Sequence, residues 1–280
     1  MRIGAYEVIS LETGRFSLDG GAMFGVVPWV FWSKLIPPDA RQRIALAARC
    51  WLIRGNGKNI LVDTGNGTKW NEKLKDIYNL DTSSGNLLSS LTRAGLRPEE
   101  ITHVILTHLH FDHTGGSTTL LNGELVPTFP NARYYVQKKH WELSEKPTEK
   151  DRGSFMRDDF VPLMNHGVLE LVDGEGELFP GIDLLVTNGH TTAQQLPRIT
   201  DGTTTILFCC DLLPTTAHLP WPYVMGYDVR PLVTLEEKKK IVTRAFEDRW
   251  VLFLQHDPIA EAITLKPSDK GFTVDQRITF

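Results

Sequence analysis

Residues 107–116 read THLHFDHTGG, and this stretch constrains the chain more than any other. It places His108, His110, Asp112 and His113 within six consecutive positions. Imidazole and carboxylate side chains are the donors that bind zinc, iron, manganese or cobalt. In extended backbone alternate side chains share a side, so His108, His110 and Asp112 would face one way. A turn at the following Thr-Gly-Gly would redirect His113, so this one segment is able to serve two adjacent metal ions.

Composition restricts the class of protein. The chain has 280 residues, of which 41% are hydrophobic and 23% charged, as in a soluble protein with a large core. The net charge of −4 argues against nucleic-acid binding, which needs a basic surface. No apolar run reaches the roughly 18 residues that span a bilayer, and no secretory signal is visible. We therefore expect a cytoplasmic protein without membrane contact, whose Cys50, Cys209 and Cys210 are buried thiols.

The hydrophobic pattern predicts one layered α/β domain over residues 1–280. Strands are expected at residues 6–11, 46–54, 59–62, 104–106, 133–136, 169–172, 182–186, 204–210 and 250–254. Helices are expected at residues 86–94, 138–145 and 234–246, the last beginning at a capping box. Residues 1–45 include an aromatic segment, 29–32, that we expect either to form a loop over a pocket or against a second subunit, or to fill the core. His140 and His166 are expected to have surface or packing roles.

Four apolar strands each run into a side chain that is able to bind a metal: His108, His190, Asp211 and His256. Functional groups are often presented by loops at strand ends. If these four ends share one edge, the side chains meet in a single cleft. Asp63 ends another strand, where it either orients a metal-binding histidine or forms a turn.

The combined pattern resembles the metallo-β-lactamase superfamily. The resemblance is carried by the HxHxDH string at 108–113, by the VDTG sequence at 62–65 and by the TNGH sequence at 187–190, with Asp211 and His256 following in the same order. It implies an αβ/βα sandwich of two packed mixed β-sheets flanked by helices. It also implies two divalent metal ions per chain, with zinc expected and iron, manganese or cobalt as alternatives.

The same resemblance implies a role for each candidate residue. One metal would be held by His108, His110 and His190, and the other by Asp112, His113 and His256. Asp211 would bridge both metals, which would share an activated hydroxide. Asp112 would also pass a proton to the leaving group, so Asp112 and Asp211 are the expected catalytic residues. Asp63 would orient a metal-binding histidine without binding a metal itself.

Within the superfamily, the chain is most similar to quorum-quenching lactonases and the methyl-parathion-hydrolase-like group. This likeness rests on GGAMFG at 20–25, DLLPT at 211–215 with His218, MGYD at 225–228 and HDP at 256–258. It implies substrate contacts from Met23, Phe24, His218, Tyr223 and Tyr227. Many homoserine-lactone hydrolases have a tyrosine three residues after the bridging aspartate, where this chain has proline. His218, Tyr223 or Tyr227 would then assist the oxyanion.

The resulting functional prediction is a dinuclear hydrolase that opens lactones of the N-acyl homoserine type, or related esters, through a metal-bridging hydroxide. A phosphotriester hydrolase is the first alternative, since it needs the same nucleophile and a different pocket. An iron-dependent thiol or persulfide dioxygenase and a metal-stabilised binding module are alternatives of other classes. The expected partners are a small-molecule substrate and a second copy of the chain in a homodimer.

Overall fold

The computed structural model describes residues 1–83 and 85–280. It has two seven-stranded sheets and one two-stranded sheet. Both large sheets mix parallel and antiparallel strands, and helices flank them. The predicted fold class, a mixed α/β structure with two large sheets, is therefore confirmed. In the part of the chain that the structure describes, no helix combines the length and apolarity needed to cross a membrane.

Sixteen strands are present in the described residues. They are β1 (Arg2–Ile3), β2 (Tyr6–Asp19), β3 (Arg43–Gly55), β4 (Lys58–Val62), β5 (His103–Ile105), β6 (Thr118–Leu121), β7 (Glu124–Pro127), β8 (Arg133–Gln137), β9 (Leu169–Val172), β10 (Gly176–Phe179), β11 (Ile182–Thr187), β12 (Gln194–Thr200), β13 (Thr205–Phe208), β14 (Val251–Phe253), β15 (Ala262–Ser268) and β16 (Gly271–Ile278).

The α-helices of the described residues are mostly short. They are α1 (Gly20–Phe24), α2 (Trp29–Trp32), α3 (Glu72–Tyr78), α4 (Leu87–Arg93), α5 (Phe111–Thr114), α6 (Lys138–Glu145), α7 (Val161–Asn165) and α8 (Pro231–Glu247). Single 3-10 turns lie at Pro98–Glu100, Arg152–Ser154, Arg157–Asp159, Cys210–Leu212 and Thr216–His218.

The chain divides into two compact units. The first comprises Met1–Arg15 and Ala48–Gly174, and the second comprises Phe16–Ala47 and Glu175–Phe280. The assignment of residues 1–280 to one domain stays a prediction.

The first large sheet has the strand order β1-β2-β3-β4-β5-β8-β9. Strands β3 and β4 form the predicted hairpin, and Asn56 and Gly57 at its tip both have positive φ, as a tight type I′ turn requires. From β4 to β9 the neighbours in the sheet are parallel. Parallel strands are commonly covered on both faces, and Val104 and Ile105 in β5 are accordingly fully buried.

The second large sheet has the order β10-β11-β12-β13-β14-β15-β16. Only β13 and β14 are parallel neighbours in it, and they are linked through the 17-residue helix α8. The other pairs are antiparallel, among them β11 and β12, whose connection carries His190. This arrangement makes the ends of β11, β13 and β14 the starting points of three candidate ligand loops.

Two sequence predictions of local structure are wrong. Residues 29–32 form the helix α2 rather than a loop. Helix α8 begins at Pro231, one turn before the proposed capping box, because proline is favoured at the first helical position and Thr234 lies inside the helix. Strand β2 is also longer than the predicted segment 6–11.

Candidate metal centre

The first group of candidate ligands lies between β5 and the end of α5. Thr107 lies in the loop that joins β5 to α5. Its N–H donates to Asp63 Oδ1 at 2.8 Å, and its hydroxyl donates to Asp63 Oδ2 at 2.8 Å. His113 Nδ1 lies 2.9 Å from the same Oδ2. Asp63 is fully buried and therefore orients both the loop and one imidazole.

The histidine rings of this loop are close to one another. The His108 centroid lies 4.4 Å from that of His110 and 4.0 Å from that of His113. Helix α5 starts immediately after His110 and turns the chain, which places Asp112 Oδ2 3.6 Å from His113 Nε2. The expected redirection of His113 is thus made by a helical turn.

His140 belongs to the structure of this loop, although its sequence context gave no hint of a specific contact. It is fully buried on α6, and its Nε2 accepts the backbone N–H of Leu109 at 2.8 Å. Its ring also meets His108 edge-on, with centroids 5.9 Å apart. The predicted packing role is borne out, and the partner is the residue between His108 and His110.

The second group of candidate ligands comprises His190, Asp211 and His256, which follow β11, β13 and β14. Asp211 directs its two oxygens at different histidines: Oδ2 lies 3.0 Å from His190 Nε2, and Oδ1 lies 3.1 Å from His256 Nε2. All three residues are buried. The Asp211 carboxylate therefore lies between the Nε2 atoms of two histidines.

The Nδ1 atoms of His190 and His256 already have hydrogen-bond acceptors. His190 Nδ1 lies 3.0 Å from Asp228 Oδ1, and His256 Nδ1 donates to the carbonyl of Ala47 at 2.8 Å. Burial lowers the pKa of His190, but the Asp211 and Asp228 carboxylates outweigh it and raise the pKa to about 9. In both rings Nδ1 is committed as a donor, so Nε2, which faces Asp211, is the nitrogen that would bind a metal.

Glycines in the VDTG and TNGH sequences permit the backbone to approach neighbouring residues closely. A Cβ on Gly65 would lie 2.2 Å from Thr13 Oγ1, and its φ of +66° is unfavourable for other residues. A Cβ on Gly189 would lie 2.2 Å from the backbone nitrogen of Thr234 in α8. The glycine before His190 is therefore required by packing against that helix.

The predicted substrate residues Met23, Phe24 and His218 are buried and contact one another. His218 Nε2 donates to the Met23 carbonyl at 2.8 Å, and its ring stacks on Phe24 with centroids 4.6 Å apart. Since Nε2 is the donor, Nδ1 accepts the Thr215 hydroxyl at 2.8 Å. Burial lowers the pKa of His218 to about 4, so the ring is neutral.

Tyr223 and Tyr227 are the more accessible members of that group. Tyr223 is half-buried and lies edge-on to Phe24, with centroids 6.1 Å apart, whereas Tyr227 is exposed. The carbonyl of Tyr223 accepts from Lys238 Nζ at 2.7 Å, so the backbone here is fixed from α8.

The donor side chains fit a metal centre. Among the described residues, three buried groups could each hold a metal ion: His108, His110, His190 and Asp211; His108, His113 and Cys210; and Asp112, His113 and His256. Imidazole and carboxylate donors are typical of zinc and related transition-metal sites, and in His113, His190 and His256 an acceptor fixes Nδ1. All seven predicted ligands are included, and Cys210, which we expected only in the core, joins one group. The three cysteines are buried thiols, as predicted.

Comparison with known proteins gives a family match over most of the chain. Residues 43–270 match the metallo-beta-lactamase superfamily. An N-acyl homoserine lactonase of Bacillus cereus is 27% identical over 220 residues, which are 74% of this chain and 80% of that protein.

Solved structures are similar over the whole chain. A probable metal-dependent hydrolase from Staphylococcus aureus has a TM-score of 0.91 and 28% identity, covering 100% of this chain and 99% of its own. AidC, a dizinc quorum-quenching lactonase solved with a product, has a TM-score of 0.82, covering 100% of this chain and 97% of its own. At 20% identity, AidC shows a likeness of fold alone.

Proposed function

The chain belongs to the metallo-beta-lactamase superfamily and is a hydrolase of that family, and from this premise we propose that it opens lactones of the N-acyl homoserine type, or related esters, at a dinuclear metal centre. The observation that carries the proposal is Asp211, whose two oxygens are directed at two different histidines. The lactonase relative supports the substrate class.

Two divalent metal ions would be held by these side chains. His108, His110 and His190 would hold the first, Asp112, His113 and His256 would hold the second, and Asp211 would be shared. We propose zinc, because imidazole and carboxylate donors suit it. Divalent ions bound here would supply an activated water at neutral pH and polarise the carbonyl of the substrate.

The protein's own groups prepare the site for this chemistry. The Asp63 carboxylate accepts from His113 Nδ1, so Nε2 is the His113 nitrogen that would bind a metal. Asp112, at the start of α5, is the residue proposed to pass a proton to the leaving alkoxide. Because the site is buried, hydrogen bonds and charges within it act more strongly than in water.

For substrate contacts we propose two layers of residues. Tyr223 and Tyr227 are accessible enough to touch a substrate directly. Met23, Phe24 and His218 are buried, and we propose that they support Tyr223 through the edge-on contact of Phe24.

The experiment is a substrate panel on the metal-loaded enzyme. We expect turnover of N-acyl homoserine lactones well above that of paraoxon-type phosphotriesters. A preference for phosphotriesters would replace the lactone assignment with the organophosphate one. Oxygen consumption with glutathione persulfide, without hydrolysis of any ester, would contradict the hydrolytic assignment itself.

We also propose that the enzyme is a cytoplasmic quorum-quenching homodimer that uses residues 26–35 as its contact. This segment exposes Val26, Trp29, Val30, Phe31 and Leu35, each at least half exposed. A cluster of exposed apolar side chains typically marks an interaction surface. A second copy would cover it.

Light scattering after gel filtration tests the dimer. The wild type should elute as a dimer and Phe31→Lys as a monomer. Ile259→Lys is the matched control, because Ile259 is an exposed apolar residue outside the segment. A monomeric wild type, or a Phe31→Lys variant that remains dimeric, would contradict this interface.

A further inference from the structure

Asp228 ends the MGYD stretch and has no role in the proposed function, but its carboxylate contacts a candidate ligand. Asp228 Oδ1 lies 3.0 Å from His190 Nδ1. The two side chains are almost completely buried, at 0% and 3% exposure. They are 38 positions apart in the chain, so folding, and not local sequence, brings them together.

The Asp228 carboxylate is itself held in place. Its Oδ2 accepts the backbone N–H of Met225 at 3.1 Å, and its own N–H donates to the Met225 carbonyl at 3.2 Å. The next residue, Val229, donates its N–H to the carbonyl of His190 at 3.0 Å. Main chain and side chain therefore tie the same short segment to His190.

Helix α8 fixes the residues that precede His190. Glu237 accepts the backbone N–H groups of Asn188 at 2.8 Å and Gly189 at 3.0 Å, one on each carboxylate oxygen. Arg230 N donates to the carbonyl of Gly189 at 2.8 Å. With its backbone fixed on both sides, His190 keeps only the rotation of its ring, and that rotation would break the contact with Asp228.

We propose that Asp228 is a positioning residue that holds His190 in the ring orientation and tautomer needed for metal binding through Nε2. A carboxylate only accepts, so Nδ1 carries a proton towards Asp228, and Nε2 is the nitrogen that would bind a metal in exchange for the proton it shares with Asp211 in the metal-free chain. That Nε2 is the atom 3.0 Å from Asp211 Oδ2. The inference rests on the proposed function, because it needs a metal at His190. Loss of such a partner typically lowers metal affinity by about 10–100-fold.

Metal affinity of Asp228 variants tests the proposal. Asp228→Asn keeps the shape of the side chain, and Asp228→Ala removes the acceptor altogether. Each purified protein is loaded with zinc, dialysed against graded concentrations of a chelator and analysed for metal per chain. We expect one of the two metal equivalents to be released at roughly 10–100-fold lower chelator concentration in both variants. The visible spectrum of the cobalt-substituted protein should change as well.

Two controls separate the outcomes. Asp183→Asn, on the strand that leads to His190, breaks only an ion pair with Arg198 and should keep wild-type metal affinity. Asp63→Asn removes the partner of His113 and should weaken the other metal, which shows that the assay is sensitive. A wild type that binds no second metal would defeat the proposed function. A two-metal wild type with unchanged affinity in both Asp228 variants would defeat only the role of Asp228.

A measurement on the wild type covers the case in which the variants do not fold. Nitrogen-15 NMR of the zinc-loaded protein should show a proton on His190 Nδ1 that is shifted downfield and exchanges slowly with solvent. A rapidly exchanging Nδ1 proton, or a His190 protonated on Nε2, would overturn the proposal.

Discussion

At the scale of single residues, three candidate histidine ligands are oriented by a hydrogen bond from Nδ1, the ring nitrogen that is not proposed to bind a metal. His113, His190 and His256 each commit Nδ1 to an acceptor, which is Asp63, Asp228 and the carbonyl of Ala47 respectively. Two acceptors are carboxylates and one is neutral. A carboxylate raises the basicity of its imidazole, so His113 and His190 should be stronger donors than His256.

Removal of the negative charge of Asp211 should disable the metal centre. In Asp211→Asn one of the two oxygens becomes an amide nitrogen, which has no lone pair to offer a metal. We expect activity on a lactone to fall by roughly 100-fold or more, since metal stabilisation amounts to several kcal/mol. Asp248→Asn, at the exposed end of α8, is the control that should retain activity. Wild-type turnover by Asp211→Asn would be incompatible with a bridging role.

His218 should make stability depend on pH. Its pKa falls from 6.5 to about 4 on folding, so the unfolded chain binds more protons below pH 6.5. The contribution of neutral His218 to the free energy of unfolding is therefore fully present above pH 6.5. It is lost as the pH falls towards 4, by at most about 1.4 kcal/mol per pH unit.

Urea unfolding of the metal-free protein between these pH values measures the effect. His218→Phe keeps an aromatic ring against Phe24 but cannot donate to the Met23 carbonyl, so it should be about 1–3 kcal/mol less stable at neutral pH. Its stability should also fall less steeply with acid than that of the wild type. Parallel curves for the two proteins would show that His218 is not the titrating group.

At the scale of elements, helix α8 organises the connections of the second sheet. Its buried Lys238 donates to three carbonyls, those of His218 at 2.9 Å, Pro220 at 3.1 Å and Tyr223 at 2.7 Å. Burial lowers the pKa of this lysine to about 7. One turn of the helix thus holds both the loop before His190, through Glu237, and the loop that carries Tyr223.

Loss of the Lys238 ammonium should loosen the 218–223 loop. In Lys238→Met three carbonyls lose a buried donor, so we expect a loss of roughly 1–3 kcal/mol in the free energy of unfolding. Hydrogen exchange should quicken selectively in residues 218–223. Lys240→Met, on the exposed side of the same helix, should change neither quantity. If hydrogen exchange in the 218–223 loop is unaltered in Lys238→Met, helix α8 does not hold this loop through Lys238.

The sequence contained more information on strands and ligands than on supporting contacts. Apolar strands that end in His108, His190, Asp211 and His256 were recognisable because burial and metal binding both leave strong local patterns. The partnership of Asp228 with His190 was not, because nothing in a linear pattern pairs residues 38 positions apart. Helix α2 was missed because Trp29–Trp32 is a single turn without a hydrophobic period.

At the scale of the whole molecule, metal binding should contribute to stability. The centre gathers carboxylates in buried positions, and such charges are costly without a counter-charge. A ligand present at about 100 times its Kd stabilises the folded state by about 2.7 kcal/mol per site. Removal of metal with a chelator should therefore lower the Tm, and reloading with zinc should restore it. A Tm that does not respond to chelator would mean that no metal binds the folded chain.

The most direct test of the account is a metal titration of the chelator-treated protein, with metal content and lactone hydrolysis measured on the same samples. The account predicts that turnover of an N-acyl homoserine lactone rises with bound metal and reaches its plateau at about two ions per chain. Full turnover in metal-free protein, or a plateau at one ion per chain, would contradict it.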